Sequence, residues 1–150
     1  MNAKIAWSVD GFRRFWASPD ATLVPAVLTA DVVGHWPGRP EPARGVAEYT
    51  DVIAALIRLL PDLKLEVAEH ATNGDVVFVS WVMHATGKHG PMQMSGIDRI
   101  RLRDGLVAEN LIRFDSDEFR RRSGYSLPLG SRSAASQQPP VHEQRDDSRW

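Results

Sequence analysis

Hydrophobic positions recur at helical spacing through the first half of the chain and at alternate positions through the second. Ser8-Val9-Asp10 reads as a helix cap, followed by Phe12, Phe15 and Trp16 on one stripe. Pro19 stops that helix, and Asp20 opens a second short one carrying Leu23, Val24, Val27 and Leu28. The β-branched stretch from Ala30 to Trp36 predicts a strand, and Pro37, Gly38, Pro40 and Pro42 force an irregular loop after it. Gly45 to Leu60 returns to helical period, with Tyr49, Val52, Ile53, Leu56, Ile57 and Leu60 on a broad apolar face.

From Leu63 the period changes to two. Leu63, Leu65 and Val67 alternate with more polar residues, Asn73-Gly74-Asp75 makes a turn, and Val76 to Thr86 is strongly β-forming. In that strand Val77, Val79, Trp81, Met83 and Ala85 form a wholly apolar set. The other set, with Phe78, Ser80, Val82, His84 and Thr86, is mixed. Gly87 to Pro91 turns the chain again, and Asp104-Gly105 marks a hairpin between two long runs. Helices first and an antiparallel meander afterwards argue an α+β fold, with the helices gathered on one face of the sheet.

The run Met92 to Arg103 holds a charge in an unexpected place. Gln93, Ser95, Arg99, Arg101 and Arg103 fall on one face with Ile97, whereas Asp98 shares the other with Met92, Met94, Gly96, Ile100 and Leu102. An isolated carboxylate on an inward face costs several kcal/mol or takes up a proton. Two readings stand side by side: a satisfied structural aspartate, or a catalytic or ligand-binding one. The next strand is harder to orient. Leu106, Ala108, Asn110, Ile112 and Phe114 form the more apolar set, but a bent sheet can expose Glu109, Leu111, Arg113 and Asp115 to a cleft, and periodicity leaves this open.

Composition narrows the function classes. At 150 residues with 43% hydrophobic content, the chain suits one domain with one core. Eighteen Lys and Arg against nineteen Asp and Glu leave a net charge of −1, which argues against nucleic acid or anionic membrane as a partner. Cysteine is absent, which excludes disulfides and thiolate chemistry. No apolar run is long enough to span a bilayer, and the N-terminus lacks a signal-peptide core, so a cytoplasmic protein is expected. There is no metal-ligand histidine spacing, no Gly-rich phosphate loop and no nucleophile elbow. The working domain is expected over residues 3–130, and the Ser-, Gln- and Pro-rich residues 131–150 read as a disordered tail.

The stretch SGIDRIRLRDGLVAENLIRFD at residues 95–115, followed by Phe119 and Ser123-Gly124-Tyr125-Ser126-Leu127-Pro128, resembles the end of SnoaL-like domains. These belong to the nuclear-transport-factor-2-like superfamily. Upstream, Phe12 to Trp16, Ala30 to Val33, the Gly45 helix start, Pro61-Asp62 and Ser80-Trp81 stand in the family order, so the likeness covers residues 8–128. Leu111 and His84 depart from it, standing where relatives often carry tryptophan and threonine-rich residues. The resemblance implies a cone-shaped fold, a curved antiparallel sheet packed on N-terminal helices around an apolar pocket. Relatives include polyketide cyclases, ketosteroid isomerases, scytalone dehydratase, limonene-epoxide hydrolases and non-catalytic binders, several of them acting without metal or organic cofactor.

On that resemblance Asp115 takes the place of the cyclase acid/base, and His35 that of the isomerase base, which is an aspartate there. Asp115 and Asp98 in one apolar pocket would not both ionise cheaply, giving an acid and a base near neutral pH. Arg113 is expected either to quiet them by ion pairing or to contact substrate. Trp36, Tyr49, Trp81, Met83, Met92, Met94 and Leu111 are the expected walls, Tyr49 and Trp81 also being able to donate hydrogen bonds to a substrate oxygen. The expected function is cofactor-free acid/base chemistry (cyclase, isomerase, dehydratase or hydrolase) on an apolar oxygenated molecule in a closed pocket. The alternatives are a binder of a hydrophobic metabolite and an interaction module. The outer sheet face, with Phe78, Val82, His84 and Ile97, is the expected surface for a homodimer.

Overall fold

A computed structural model describes residues 3–127, so the expected tail at 131–150 lies outside the described residues. The first helix, α1 (Val9–Ala17), is capped by Ser8, whose hydroxyl accepts from the Gly11 amide at 3.0 Å. The second segment is a 3-10 helix, Ala21–Val27, rather than an α-helix. Pro25 lies inside it and has no amide to donate, so a regular α-helical ladder would be broken there. Strand β1 (Leu28–His35) and the short β2 (Ala43–Arg44) follow, and then α2 (Gly45–Leu59), which buries Tyr49, Val52 and Ile53.

The second half is the expected meander: β3 (Lys64–Asn73), β4 (Val76–Gly87), β5 (Gly90–Arg103) and β6 (Leu106–Arg113), closed by α3 (Ser116–Ser123). All six strands form one sheet in the order β2-β1-β6-β5-β4-β3. The neighbours pair antiparallel except β1 and β6, which run parallel because α2 and the meander intervene before the chain returns beside β1.

One sheet face carries the core. Val77, Val79, Trp81, Met83 and Ala85 of β4 are all buried, as are Met92, Met94, Asp98 and Ile100 of β5. The opposite face holds Phe78 and Ile97, which stay 37% and 38% exposed, and His84, bonded to Glu66 at 3.1 Å. α3 is tied to the β4–β5 hairpin by the Lys88 amide donating to the Ser123 carbonyl at 2.7 Å, and it seals Phe119 into the core.

The orientation of β6, open from pattern alone, is decided by a bulge. The register passes from Arg101↔Glu109 to Leu102↔Val107, so Ala108 is an extra residue. Val107 faces inward below the bulge, and Asn110 and Ile112 face inward above it. Of the apolar set, Asn110 and Ile112 thus take the expected face, while Val107 replaces Leu106 and Ala108.

Two glycines make room for aromatic rings. A Cβ at Gly34 would lie 2.5–2.8 Å from the rings of Trp36 and Tyr49. A Cβ at Gly96 would run into the Trp81 indole and sit 2.9 Å from the Arg113 carbonyl oxygen. Gly96→Ala is expected to lower unfolding free energy by about 1–3 kcal/mol through overpacking, read from urea denaturation, because the indole cannot leave without breaking its own hydrogen bond.

Candidate functional site

Between the concave sheet face and the covering α1, 3-10 helix and α2 lies a cavity of about 390 Å³. Its walls are almost wholly apolar, with Phe12, Phe15, Trp16, Trp36 and Phe114 among them, and the size suits a small organic molecule. Asp98 lines the sheet side and is 6% exposed. Its Oδ1 accepts from Trp81 Nε1 at 2.9 Å and its Oδ2 accepts from Asn110 Nδ2 at 2.9 Å. Asn110 Nδ2 also donates to the Tyr49 hydroxyl at 3.0 Å. Four side chains from α2, β4, β5 and β6 thus share one buried polar cluster.

Neutral donors leave Asp98 without a countercharge. Burial pushes its pKa up to about 6, and the hydrogen bonds from Asn110 and Trp81 pull it back only in part. Burial also raises the Tyr49 phenol well above its ordinary value, so it remains protonated. An ionised Asp98 can only accept, so the Asn110 amide nitrogen must face it. Asn110 Oδ1 is then a buried acceptor with no hydrogen-bond partner among the described residues. The Tyr49 oxygen already accepts from Asn110, which leaves its own O–H free to donate elsewhere.

The structure gathers some of the expected site residues and separates others. Asp98, Trp36, Tyr49, Trp81, Met83 and Met94 line the cavity. Met92 is buried in the core near the hairpin and is not part of the lining. Asp115 is exposed and lies outside the lining: β6 ends at Arg113, and the Asp115 carboxylate caps α3, accepting from the Asp117 and Glu118 amides at 3.0 Å. Its place is explained by helix capping, not by a pocket.

His35 and Arg113 also face away. Val32 and Gly34 take the inward positions of β1, so His35 points to the outer face and meets Glu109 at 3.1 Å. Glu109 lies between His35 and Arg99, the latter at 3.2 Å. Leu111 and Arg113 share that outer side because the bulge gives the inner one to Asn110 and Ile112. Asn110 is the functional candidate that sequence reasoning passed over. Its signal was available: an amide in an otherwise apolar set, two strand positions from Ile112, which pairs with Asp98. Among the described residues, no group of three His, Asp or Glu side chains is placed to hold a metal ion.

Residues 9–110 match the family model of the SnoaL-like domain. The chain belongs to this family. No curated protein matches it. Three solved structures show how far the SnoaL-like fold is shared. TerC, co-crystallised with polyporic acid, is 21% identical over 77% of this chain and 92% of its own, with a TM-score of 0.64. IdmH from Streptomyces antibioticus is 22% identical over 78% and 96%, with a TM-score of 0.66. A protein of ketosteroid isomerase-like fold from Catenulispora acidiphila, in complex with trimethylamine, is 15% identical over 81% and 93%, with a TM-score of 0.69. At these identities the likeness is one of fold.

The pH dependence of stability follows from the cluster. Between about pH 4 and pH 6 the folded chain holds a proton on Asp98 that the unfolded chain has released, so Asp98 makes stability fall as pH rises through that window. Subtracting the Asp98→Asn curve from the wild-type curve, both from urea denaturation, should leave this downward slope and a plateau above about pH 6. Asp115→Ala should cost about 1 kcal/mol of stability through the lost cap and leave ligand affinity in the cavity unchanged.

Proposed function

We propose that this SnoaL-like protein is a cofactor-free acid/base enzyme acting on an apolar, oxygenated small molecule, with Asp98 as the group that moves the proton. The observation that carries this reading is a carboxylate raised to about 6 inside an apolar cavity, held by neutral donors instead of a cation. Each Asp98 oxygen accepts one hydrogen bond and keeps a further acceptor position. That position takes a proton from carbon beside a substrate carbonyl, and Tyr49 donates to the enolate oxygen that forms. Asn110 and Trp81 hold the carboxylate in one orientation. The proton then returns to another carbon or oxygen of the same molecule, the pattern of an isomerisation or a cyclisation.

One observation favours a second reading, a binder that leaves its ligand unchanged: both Asp98 oxygens are already engaged, as a structural carboxylate requires. Exchange chemistry separates the two. With 2-tetralone as probe in D₂O, the protein should speed deuterium incorporation beside the carbonyl, followed by proton NMR. The rate should rise as pH increases through about 6, because the base form of Asp98 is the ionised one. Asp98→Asn should lower it at least ~10²-fold. Binding of 2-tetralone with no catalysed exchange would establish the second reading.

A further inference from the structure

Asp98 and Arg14 are the charged residues of the cavity lining, and they bear opposite signs. Asp98 is buried in the sheet wall, whereas Arg14 is exposed on α1. Arg14 follows Arg13, but the two differ. Arg13 pairs with Asp10 at 2.9 Å, while no carboxylate pairs with Arg14 among the described residues. The Arg14 side chain folds back along its helix, its Nη2 falling 3.8 Å from where a Cβ of Gly11 would stand, and Gly11 itself lines the cavity. The guanidinium thus lies over the backbone of position 11, beside the lining. Around it the lining is apolar, with Ile5 and Leu23 remaining 61% and 57% exposed at the rim.

We infer that the ligand is an apolar molecule carrying an anionic group, a carboxylate in the simplest case, which Arg14 receives at the cavity rim while a neutral oxygen reaches Tyr49 and Asp98. This rests on the cavity being the ligand site, as proposed above, and adds the class of ligand and its direction. A carboxylate entering first would meet the like charge of Asp98 with no cation to offset it. The same carboxylate left at the rim meets an exposed guanidinium that no carboxylate pairs with among the described residues, and two-pronged pairing suits the geometry of Arg. The two charges therefore orient the ligand, and Arg14 is a specificity-determining residue that takes no part in proton transfer.

The test uses a pair of probes of equal shape, 2-naphthoate and 2-naphthamide, with binding read from quenching of the cavity tryptophans. The full chain should bind the naphthoate about fivefold more tightly than the amide, the scale of a partly exposed ion pair. Raising the salt concentration should erode this preference. Arg14→Gln should abolish the preference by weakening the naphthoate alone, and Arg14→Glu should reverse it. Equal affinity for both probes in the wild type, or a loss in Arg14→Gln that falls equally on both, would overturn the inference and leave the cavity reading standing. If neither probe binds, the cavity reading itself fails, and the inference with it.

Discussion

Holding one carboxylate inside an apolar wall without a cation is the constraint around which the rest of this structure is arranged. Asp98 is costly where it stands, because a buried charge loses several kcal/mol of hydration that neutral donors restore only in part. An arginine in contact would have recovered more and would have held the group firmly ionised. The chain supplies an indole and an amide instead, and that choice keeps the proton exchangeable near neutral pH. Other residues then follow from it. Trp81 must lie flat over β5 to reach Asp98, so position 96 has no side chain. Tyr49 must approach β1 to reach Asn110, so position 34 has none either.

The sheet separates two kinds of electrostatics. Its outer face carries charged side chains that neutralise one another, Glu109 receiving His35 and Arg99, with Arg101 turned to Asp75 at 3.1 Å. Its inner face carries Asp98 alone among the buried residues that bear charge. The bulge at Ala108 maintains this separation. Had the alternation run on from Val107 without it, Glu109 and Arg113 would face inward and Asn110 outward. Asp98 would then have gained an ion pair and lost the amide that positions it. A single extra residue in β6 decides whether Asp98 faces charged side chains or a neutral amide.

Much of this was legible in the residues, and the limit is physical. Strict alternation in β4 placed Trp81 and Met83 correctly, and the same rule isolated Asp98 as a charge among apolar neighbours. Alternation fails at a bulge, because an inserted residue changes the parity without changing the composition. It misplaced Leu106 and Ala108 for that reason, while Asn110 and Ile112 took the face it gave them without Asn110 being singled out; Leu111 and Arg113 were expected in the pocket from the family resemblance instead. His35 and Asp115 came from family positions, and local geometry assigns them elsewhere: one to the outer face through the parity of β1, the other to a helix cap. Short-range capping chemistry was readable at Ser8, where a hydroxyl precedes an apolar stripe. It was equally present at Asp115, followed by Ser116-Asp117-Glu118, but the expectation of catalysis hid it.

The hydrogen bonds of the cluster bear on both protonation states of Asp98. Asn110 has two amide protons, and both are spent, one on Asp98 and one on Tyr49. Its oxygen has no partner, and the Tyr49 O–H has no acceptor within the cluster. Now let Asp98 take up a proton. The carboxyl can donate to Asn110 Oδ1 if the amide turns over, a change that moves almost no volume, and Tyr49 can then donate to the same oxygen. The turn satisfies the orphaned oxygen, but it takes both amide protons away from Asp98 and Tyr49, their two acceptors. The turn therefore gives up two hydrogen bonds to make two, and without it the Tyr49 O–H stays available to a ligand oxygen whether or not Asp98 holds its proton, as donation to a forming enolate requires. A donor that does not depend on the protonation of its neighbouring base is suited to holding an enolate while Asp98 holds the proton.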